Sequence, residues 1–303
     1  MGAADWAPRE ITVAGGQELK EFLAGADLGA LLAHDKALVF RGLGATEETL
    51  PDVLDLLLPR RLAYVHGNSP RTKVGAGVYT STEYPAEQTI SMHSELSYAH
   101  SWPSRLSFFC AVPPATGGAT PVLDTGRWLA ELDDDLVAAF SGGVRYTQNL
   151  HGGTGLGKSW QDTFETGDRD EVAAFLDGTR AEHEWRRDGS LRVTQTRPAT
   201  VRHPVTGAEV WFNQADQWHP AGLGEAGEAL SRILAEEDMP QSVRFADGGP
   251  IPAEYIHQIR ERGLACAVDV DWHAGDVLLI DNVLTAHGRR PFTGARRVLV
   301  AMS

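Results

Sequence analysis

Two short stretches hold residue types whose spacing could do chemistry. The first is His93-Ser94-Glu95, inside "TISMHSELSY". The chain has 11 histidines, and His93 is the one followed two residues later by a carboxylate. On a strand, residues i and i+2 project from the same face, so this imidazole and carboxylate could share one cation. A third ligand must come from elsewhere. The candidate is His287 in "DNVLTAHGRR", just past the apolar run "DVLLID". Two imidazoles and one carboxylate on one side of a metal leave three positions open, the arrangement of non-haem Fe(II) oxygenases. A closed structural zinc site fits this donor set less well.

The second stretch is "GGTGLGKS", Gly152–Ser159, which satisfies the phosphate-loop pattern G-x-x-x-x-G-K-[ST]. "VLLID" (277–281) resembles the acidic strand that would accompany it. A phosphate loop leaves a buried parallel strand and enters a long helix whose N-terminus faces the phosphates. Here the preceding "VRYTQNLH" is too polar for a strand buried on both faces, and the following helical pattern soon meets Thr166-Gly167. Nucleotide binding is therefore the lesser alternative, and a Gly-rich surface loop with a solvated Lys158 the plainer reading.

The rest of the chain must position these groups. It has 303 residues, 42% hydrophobic and 22% charged, with a net charge of −14. That balance argues against nucleic acid, whose phosphates need clustered Lys and Arg. Cys110 and Cys266 form no C-x-x-C pair and read as reduced thiols. Neither a signal sequence at "MGAADWAPRE" nor a membrane-length apolar run is visible, so a cytoplasmic location is expected. "GQELKEFLAGADLGALLAHD", "TEETLPDVLDLLLP" (opened by Thr46), "GEAGEALSRILAEE" and "IPAEYIHQIRERG" (ended by Gly263) predict helices. Short strands dominate elsewhere: "ALVFRGL", "TISMHSELSY", "RLSFFCAV", "VRYTQNL", a hairpin joined by "HPVTG", "ACAVDVDW", "DVLLIDN" and "RRVLVAM". Many short strands with helical insertions suggest an antiparallel jelly roll, not βαβ repeats.

With those elements in place, "GVYTSTEYPAEQTISMHSELSYAHSWPSRLSFFCAVPPATGGATPVLD" resembles the metal-binding core of the taurine dioxygenase/TfdA superfamily, nearest the SyrP-like branch of aspartyl hydroxylases. The likeness continues through "SWQDTFETGDRDEV", "VRHPVTGAEVWFNQA" and "WHAGDVLLIDNVLTAHGRRPFTGARRVLVAM". It implies a mainly β fold with flanking helices: a double-stranded β-helix (jelly roll, clavaminate synthase-like) forming one domain over 1–303, with insertions around 125–190 and 220–262. It also implies that the Gly152–Ser159 loop belongs to an insertion.

The ligand set implied is His93, Glu95 and His287 on Fe(II), with 2-oxoglutarate and O₂ as co-substrates. Thr120 in "GGAT" and Arg297 in "GARRV" match the residues that grip the remote carboxylate of 2-oxoglutarate. Arg296 and Arg297 lie on opposite strand faces, so only one can point inward; their apolar neighbours do not decide which, and the resemblance selects Arg297. The implied reaction couples oxidative decarboxylation of 2-oxoglutarate to hydroxylation of an unactivated C–H. Related halogenases lack the carboxylate ligand, so Glu95 favours hydroxylation over chlorination; desaturation and cyclisation are the alternatives. No basic residue follows Arg297, which argues against a sulfonate. The substrate implied is an amino acid or derivative, free or tethered to a carrier protein, with Phe212, Asn213 and Arg290 (or Arg289) as candidate contacts. At −14 the chain would repel an acidic carrier, which favours a free small molecule.

Overall fold

The computed structural model describes residues 6–63, 67, 71–82 and 84–303, the side chains of 225, 226 and 228 apart. Residues 1–5 of the stretch read for a signal lie outside that set. The strands are β1 (Arg9–Thr12), β2 (Ala37–Arg41), β3 (Lys73–Gly75), β4 (Val78–Thr80), β5 (Ile90–His93), β6 (Arg105–Val112), β7 (Thr116–Gly117), β8 (Thr120–Asp124), β9 (Val144–Leu150), β10 (Glu182–Trp185), β11 (Leu191–Arg197), β12 (Thr200–Arg202), β13 (Glu209–Trp211), β14 (Gln241–Phe245), β15 (Val268–Val270), β16 (Val277–Asp281), β17 (Thr285–Arg289), β18 (Phe292–Thr293) and β19 (Arg297–Met302).

Two sheets make the jelly roll. The larger runs β1-β2-β16-β6-β19-β4-β3 and the smaller β15-β8-β17-β5. Pairing is antiparallel except between β1 and β2. The larger sheet is buried on both faces. Val39, Leu106, Phe108, Leu278, Ile280, Val298 and Val300 point into the core shared with the smaller sheet. Leu38, Phe40, Phe109, Val277, Leu279, Leu299 and Ala301 face the other way, against Leu19, Leu50, Val53 and Leu57. Those last residues come from helices α1 (Gly16–Ala24) and α3 (Leu50–Leu57). Double burial is why "VLLI" and "RVLVAM" show no alternation of apolar and polar residues. A third sheet, β10-β11-β9-β14, stands beside the roll over its own small core of Leu150, Trp160, Leu176 and Leu191.

The local reading needs three adjustments. The first helical stretch is two helices, because Asp27 caps a new one, α2 (Leu28–Asp35), by accepting from Ala30 N–H at 3.1 Å. The next helix starts at Leu50 with Thr49 as N-cap; Thr46 instead exchanges hydrogen bonds with Thr49. The helix Ala253–Cys266 runs through Gly263. That glycine is there for close approach, since a Cβ would lie 2.9 Å from the Trp128 ring.

Candidate metal centre and active site

β5 and β17 are hydrogen-bonded neighbours, and their register sets His93 opposite His287. Side chains of directly opposite residues lie on one face and interact, and here the ring centroids are 4.3 Å apart. The His287 ring also packs on Phe108 of β6, at 4.9 Å. Glu95 arrives differently from the expected i, i+2 strand geometry. β5 ends at His93, and Glu95 sits in the following turn, next to Leu96 at φ 55°. Asn282, fully buried, fixes that turn. Its side-chain oxygen accepts from Glu95 N–H at 2.7 Å, and its amide donates to the carbonyls of Glu95 (3.0 Å) and Pro103 (2.8 Å).

One ligand atom from each of His93, Glu95 and His287 lies within 4.8 Å of the others, and all three residues are buried. Burial lowers the pKa of His93, with Glu95 opposing. It lowers that of His287 further, with His93 and Arg71 adding to the effect. Both imidazoles are therefore neutral near pH 7, with lone pairs able to coordinate. His93 Nδ1 lies 3.0 Å from the Ser91 carbonyl, which selects the Nδ1–H tautomer and leaves Nε2 as the ligand atom. His287 Nδ1 has no hydrogen-bond partner among the described residues, and its Nε2 is 3.9 Å from Glu95. So poorly satisfied a buried imidazole is costly as mere packing and makes sense as a metal ligand. Arg71, unmarked by any sequence pattern, donates to Glu95 Oε2 at 2.6 Å.

Beside the triad a narrow cavity is lined by Arg71, Phe108, Thr120, Arg289 and Arg296. Thr120 is buried; its hydroxyl accepts from Trp272 Nε1 at 3.0 Å and from Arg296 at 3.4 Å. The preceding Gly117 has φ 66°, and a Cβ there would meet the Pro291 carbonyl at 2.3 Å, so only glycine lets this loop lie so close. Arg296 also donates to the Gly118 carbonyl at 3.0 Å. Burial, helped by nearby Arg289, pulls its guanidinium down to about 10, still protonated at neutral pH.

The inward arginine is thus Arg296, which corrects the expectation of Arg297. Arg297 points out of the roll and forms a half-exposed pair with both oxygens of Glu47, at 2.6 and 2.7 Å. It shares its face with Leu299 and Ala301 of the outer core, while Arg296 shares one with Val298 and Val300. A register shift between Arg297 and Val298 marks where the strand enters the sheet.

The three expected substrate contacts line neither the narrow cavity nor the wider one beside the triad, and each is engaged elsewhere. Phe212 packs on Trp102 at 4.9 Å in a small cluster with Val210, Val283 and Leu284. Asn213 closes a turn, donating to the Ala199 carbonyl and accepting from Ala215 N–H. Arg290 pairs with Asp269 on the surface at 2.8 Å. Arg289 lines the narrow cavity, but its donors go to the carbonyls of Thr82, Tyr84, Pro85 and Gln88. The residues missed lie just downstream. Gln214 and Gln217 line a second cavity of about 470 Å³, with Tyr98, Gln241, His257 and Arg260 around it and His93 and Glu95 also on its wall. The "NQADQ" spacing, two glutamines at i and i+3, was the available signal.

The Gly152–Ser159 stretch has none of the phosphate-loop context. β9 before it is antiparallel to both neighbours. The helix after it, Trp160–Phe164, has five residues. Lys158 donates to the Gly67 carbonyl at 2.7 Å. "VLLID" is β16, antiparallel to both β2 and β6.

With this geometry in hand, comparison with known proteins is decisive for ancestry. Residues 3–302 match the model of the taurine catabolism dioxygenase TauD, TfdA family. The chain belongs to that family. It is 36% identical over 287 residues to the dapdiamide synthesis protein DdaC of Enterobacter agglomerans, covering 94% of this chain and 87% of that one. It is 30% identical over 285 residues to a clavaminate synthase-like protein of Arabidopsis thaliana, covering 91% and 83%. Among solved structures, PvcB of Pseudomonas aeruginosa aligns over 98% of this chain and 86% of that one, with TM-score 0.52 at 15% identity. An asparagine oxygenase in complex with Fe(II), 3-hydroxyasparagine and succinate aligns over 95% and 79%, with TM-score 0.53 at 16% identity. These two share the fold, a jelly roll of the dioxygenase type. Among the described residues no helix is long and apolar enough to cross a membrane.

Proposed function

We propose that this family member is an Fe(II)/2-oxoglutarate-dependent oxygenase that hydroxylates an unactivated C–H of an amino acid or a close derivative. The observation that carries this reading is the convergence of buried His93, Glu95 and His287 beside a separate anion-competent cavity. Iron, when bound by these three residues, supplies dioxygen activation coupled to decarboxylation of the co-substrate. The chain supplies the rest. Arg296, with Thr120 next to it, is suited to gripping the remote carboxylate of 2-oxoglutarate, since a guanidinium and a hydroxyl in a dry pocket match a carboxylate. Phe108 shields the His287 side from water.

The wider cavity reaches the same His93 and Glu95. Arg260, anchored by a bond to the Gly222 carbonyl, brings a cation to the wall of this cavity for a substrate carboxylate. Gln214 and Gln217, whose side-chain nitrogens donate to the carbonyls of Ser94 and Ser91, bring amide oxygens as acceptors for an amine or amide group. The name of DdaC ties it to dapdiamide synthesis, and the asparagine oxygenase complex holds a hydroxylated amino acid; both support an amino-acid-like substrate. Glu95 supports hydroxylation, and desaturation or cyclisation would use the same site. A carrier-tethered substrate is the lesser reading, given the charge of −14. A cytoplasmic location is part of the same proposal.

The test is succinate formation dependent on both Fe(II) and 2-oxoglutarate. His93→Ala is expected to abolish it, with loss of stoichiometric Fe(II) binding. Tight metal binding retained in His93→Ala would refute the ligand set.

A further inference from the structure

We propose that Arg71 is a second anion anchor of the co-substrate cavity, set at its metal end, and that Lys158 holds Arg71 there. This rests on the oxygenase reading above. 2-Oxoglutarate carries a carboxylate at each end, and Arg296 answers only the far one. Arg71 lines the same cavity as Arg296, His93 and His287. Its side chain is 2% exposed, and one arm donates to Glu95 Oε2 at 2.6 Å. A guanidinium is a rigid fork of five N–H donors, so contact with Glu95 fixes the plane in which it meets a second carboxylate. Arg289, a further cation of the cavity wall, gives its two terminal nitrogens to the carbonyls of Tyr84, Pro85 and Gln88. Three cations (Arg71, Arg289 and Arg296) and the carboxylate of Glu95, joined by a divalent metal, leave the cavity with excess positive charge. A dianion offsets that excess better than a monoanion does.

Gly67 and Lys73, on either side of Arg71 in the chain, are tied from outside. Lys158 of the "GKS" stretch donates to the Gly67 carbonyl at 2.7 Å, and Lys73 pairs with Glu165 at 3.4 Å. On the roll side, Thr72 and Thr80 exchange bonds, each at 2.8 Å. The third sheet and its loop thereby hold the residue that reaches the metal carboxylate. Lys158, which nucleotide binding would have explained, becomes a positioning residue.

The experiment is an anaerobic titration of the Fe(II)-loaded protein with 2-oxoglutarate, followed by its visible charge-transfer band, beside a Co(II) binding isotherm on the metal-free protein. Arg71→Gln is expected to weaken 2-oxoglutarate by about 30-fold or more, as loss of a buried charge partner does, while Co(II) binds as well or better because a neighbouring cation is gone. Arg71→Lys should recover part of the loss, and Lys158→Met should show a smaller loss in the same direction. Wild-type affinity for 2-oxoglutarate in a folded Arg71→Gln overturns the proposal. So does parallel loss of Co(II) and 2-oxoglutarate with a lowered melting temperature, which marks a purely structural role. Should Arg71→Gln not fold, unchanged 2-oxoglutarate affinity in both Arg71→Lys and Lys158→Met overturns it equally. A wild-type protein that develops no band refutes the oxygenase reading instead.

Discussion

At the β5–β17 end of the roll, the three triad side chains are buried and Arg296 is partly buried, and each is held by something remote in sequence. His93 is set by its register with β17, Glu95 by Asn282, and Arg296 by Gly118 and Thr120. The 151–159 loop is the opposite case. Leu156 is 55% exposed and most of its neighbours are exposed too. Its ordering contacts are mainly short-range, since His151 bridges Ser159 and Ser159 caps the helix that follows; Lys158, which donates to the distant Gly67 carbonyl, is the exception. A motif can be matched by local residues alone, but a chemical site needs convergence from distant ones, because only burial among fixed partners makes donor geometry and low dielectric persist.

The sharpest way to probe that contrast is a pair of neighbours, one in each kind of environment. Arg296→Ala removes a buried cation from the anion cavity, and 2-oxoglutarate affinity is expected to fall by roughly 100-fold or more. Arg297→Ala removes one partner of a half-exposed ion pair, for which an effect of about 0–1 kcal/mol on stability and none on 2-oxoglutarate affinity is expected. Titration of both variants with 2-oxoglutarate and urea separates the two. Equal losses of affinity would erase the distinction between inward and outward arginines.

Next in size is Asn282→Ala. It strips three hydrogen bonds from buried backbone groups, two of them on Glu95. Leaving such groups unsatisfied costs about 1–3 kcal/mol each at most, and water entering the gap would offset part of it. A drop of roughly 2–3 kcal/mol in unfolding free energy is expected, together with weaker metal binding because the Glu95 turn loses its tie. A variant that loses stability while keeping wild-type metal affinity would show that β5 alone places Glu95.

A buried acid beside the triad gives a control in which no metal is expected. Asp216 is 1% exposed, with neither oxygen hydrogen-bonded at ordinary distance among the described residues. Burial outweighs the favourable influence of Ser91 and Arg260 and raises its pKa from 3.8 to about 6. The folded state therefore holds this proton more tightly than the unfolded chain does. The resulting stabilisation is complete below pH 4, and it is lost as pH rises from about 4 through 6. Asp216→Asn should match wild type near pH 4 and exceed it by about 2 kcal/mol at pH 8, read by denaturant unfolding at both values. An advantage of the same size at both values would disprove the titration.

Much of this architecture was legible before any coordinates. The jelly roll followed from many short strands, and the three residues that converge as a candidate metal site from residue type and family likeness. What escaped did so for identifiable reasons. Arg296 and Arg297 could not be ranked because β19 is buried on both faces, so Val298 and Leu299 look alike in sequence while serving different cores. Asn282 and Arg71 act on Glu95 from 187 and 24 residues away, separations at which one sequence carries no pattern. Phe212 and Asn213, which the resemblance implies as candidate contacts, line neither cavity. The helical turn that follows them faces the cavity with Gln214 and Gln217 instead.

The smallest expected effect tests the surface loop on its own terms. In a phosphate loop the final Ser would bind a metal-nucleotide, and its loss would remove function. Here the Ser159 hydroxyl accepts from Asp162 N–H at 3.0 Å, and Ser159 is the N-cap of a five-residue helix. Replacing an N-cap Ser by Ala costs about 1 kcal/mol. Ser159→Ala should therefore lower unfolding free energy by about that amount, while Ser159→Thr, which keeps both the cap and the hydroxyl donated to Asp162 at 2.6 Å, should retain most of the stability. Neither change should alter Fe(II) or 2-oxoglutarate binding by more than about twofold, because Ser159 lines neither cavity. ATP affinity detectable in wild type and lost in Ser159→Ala would restore the nucleotide reading that the antiparallel β9 and the short helix argue against.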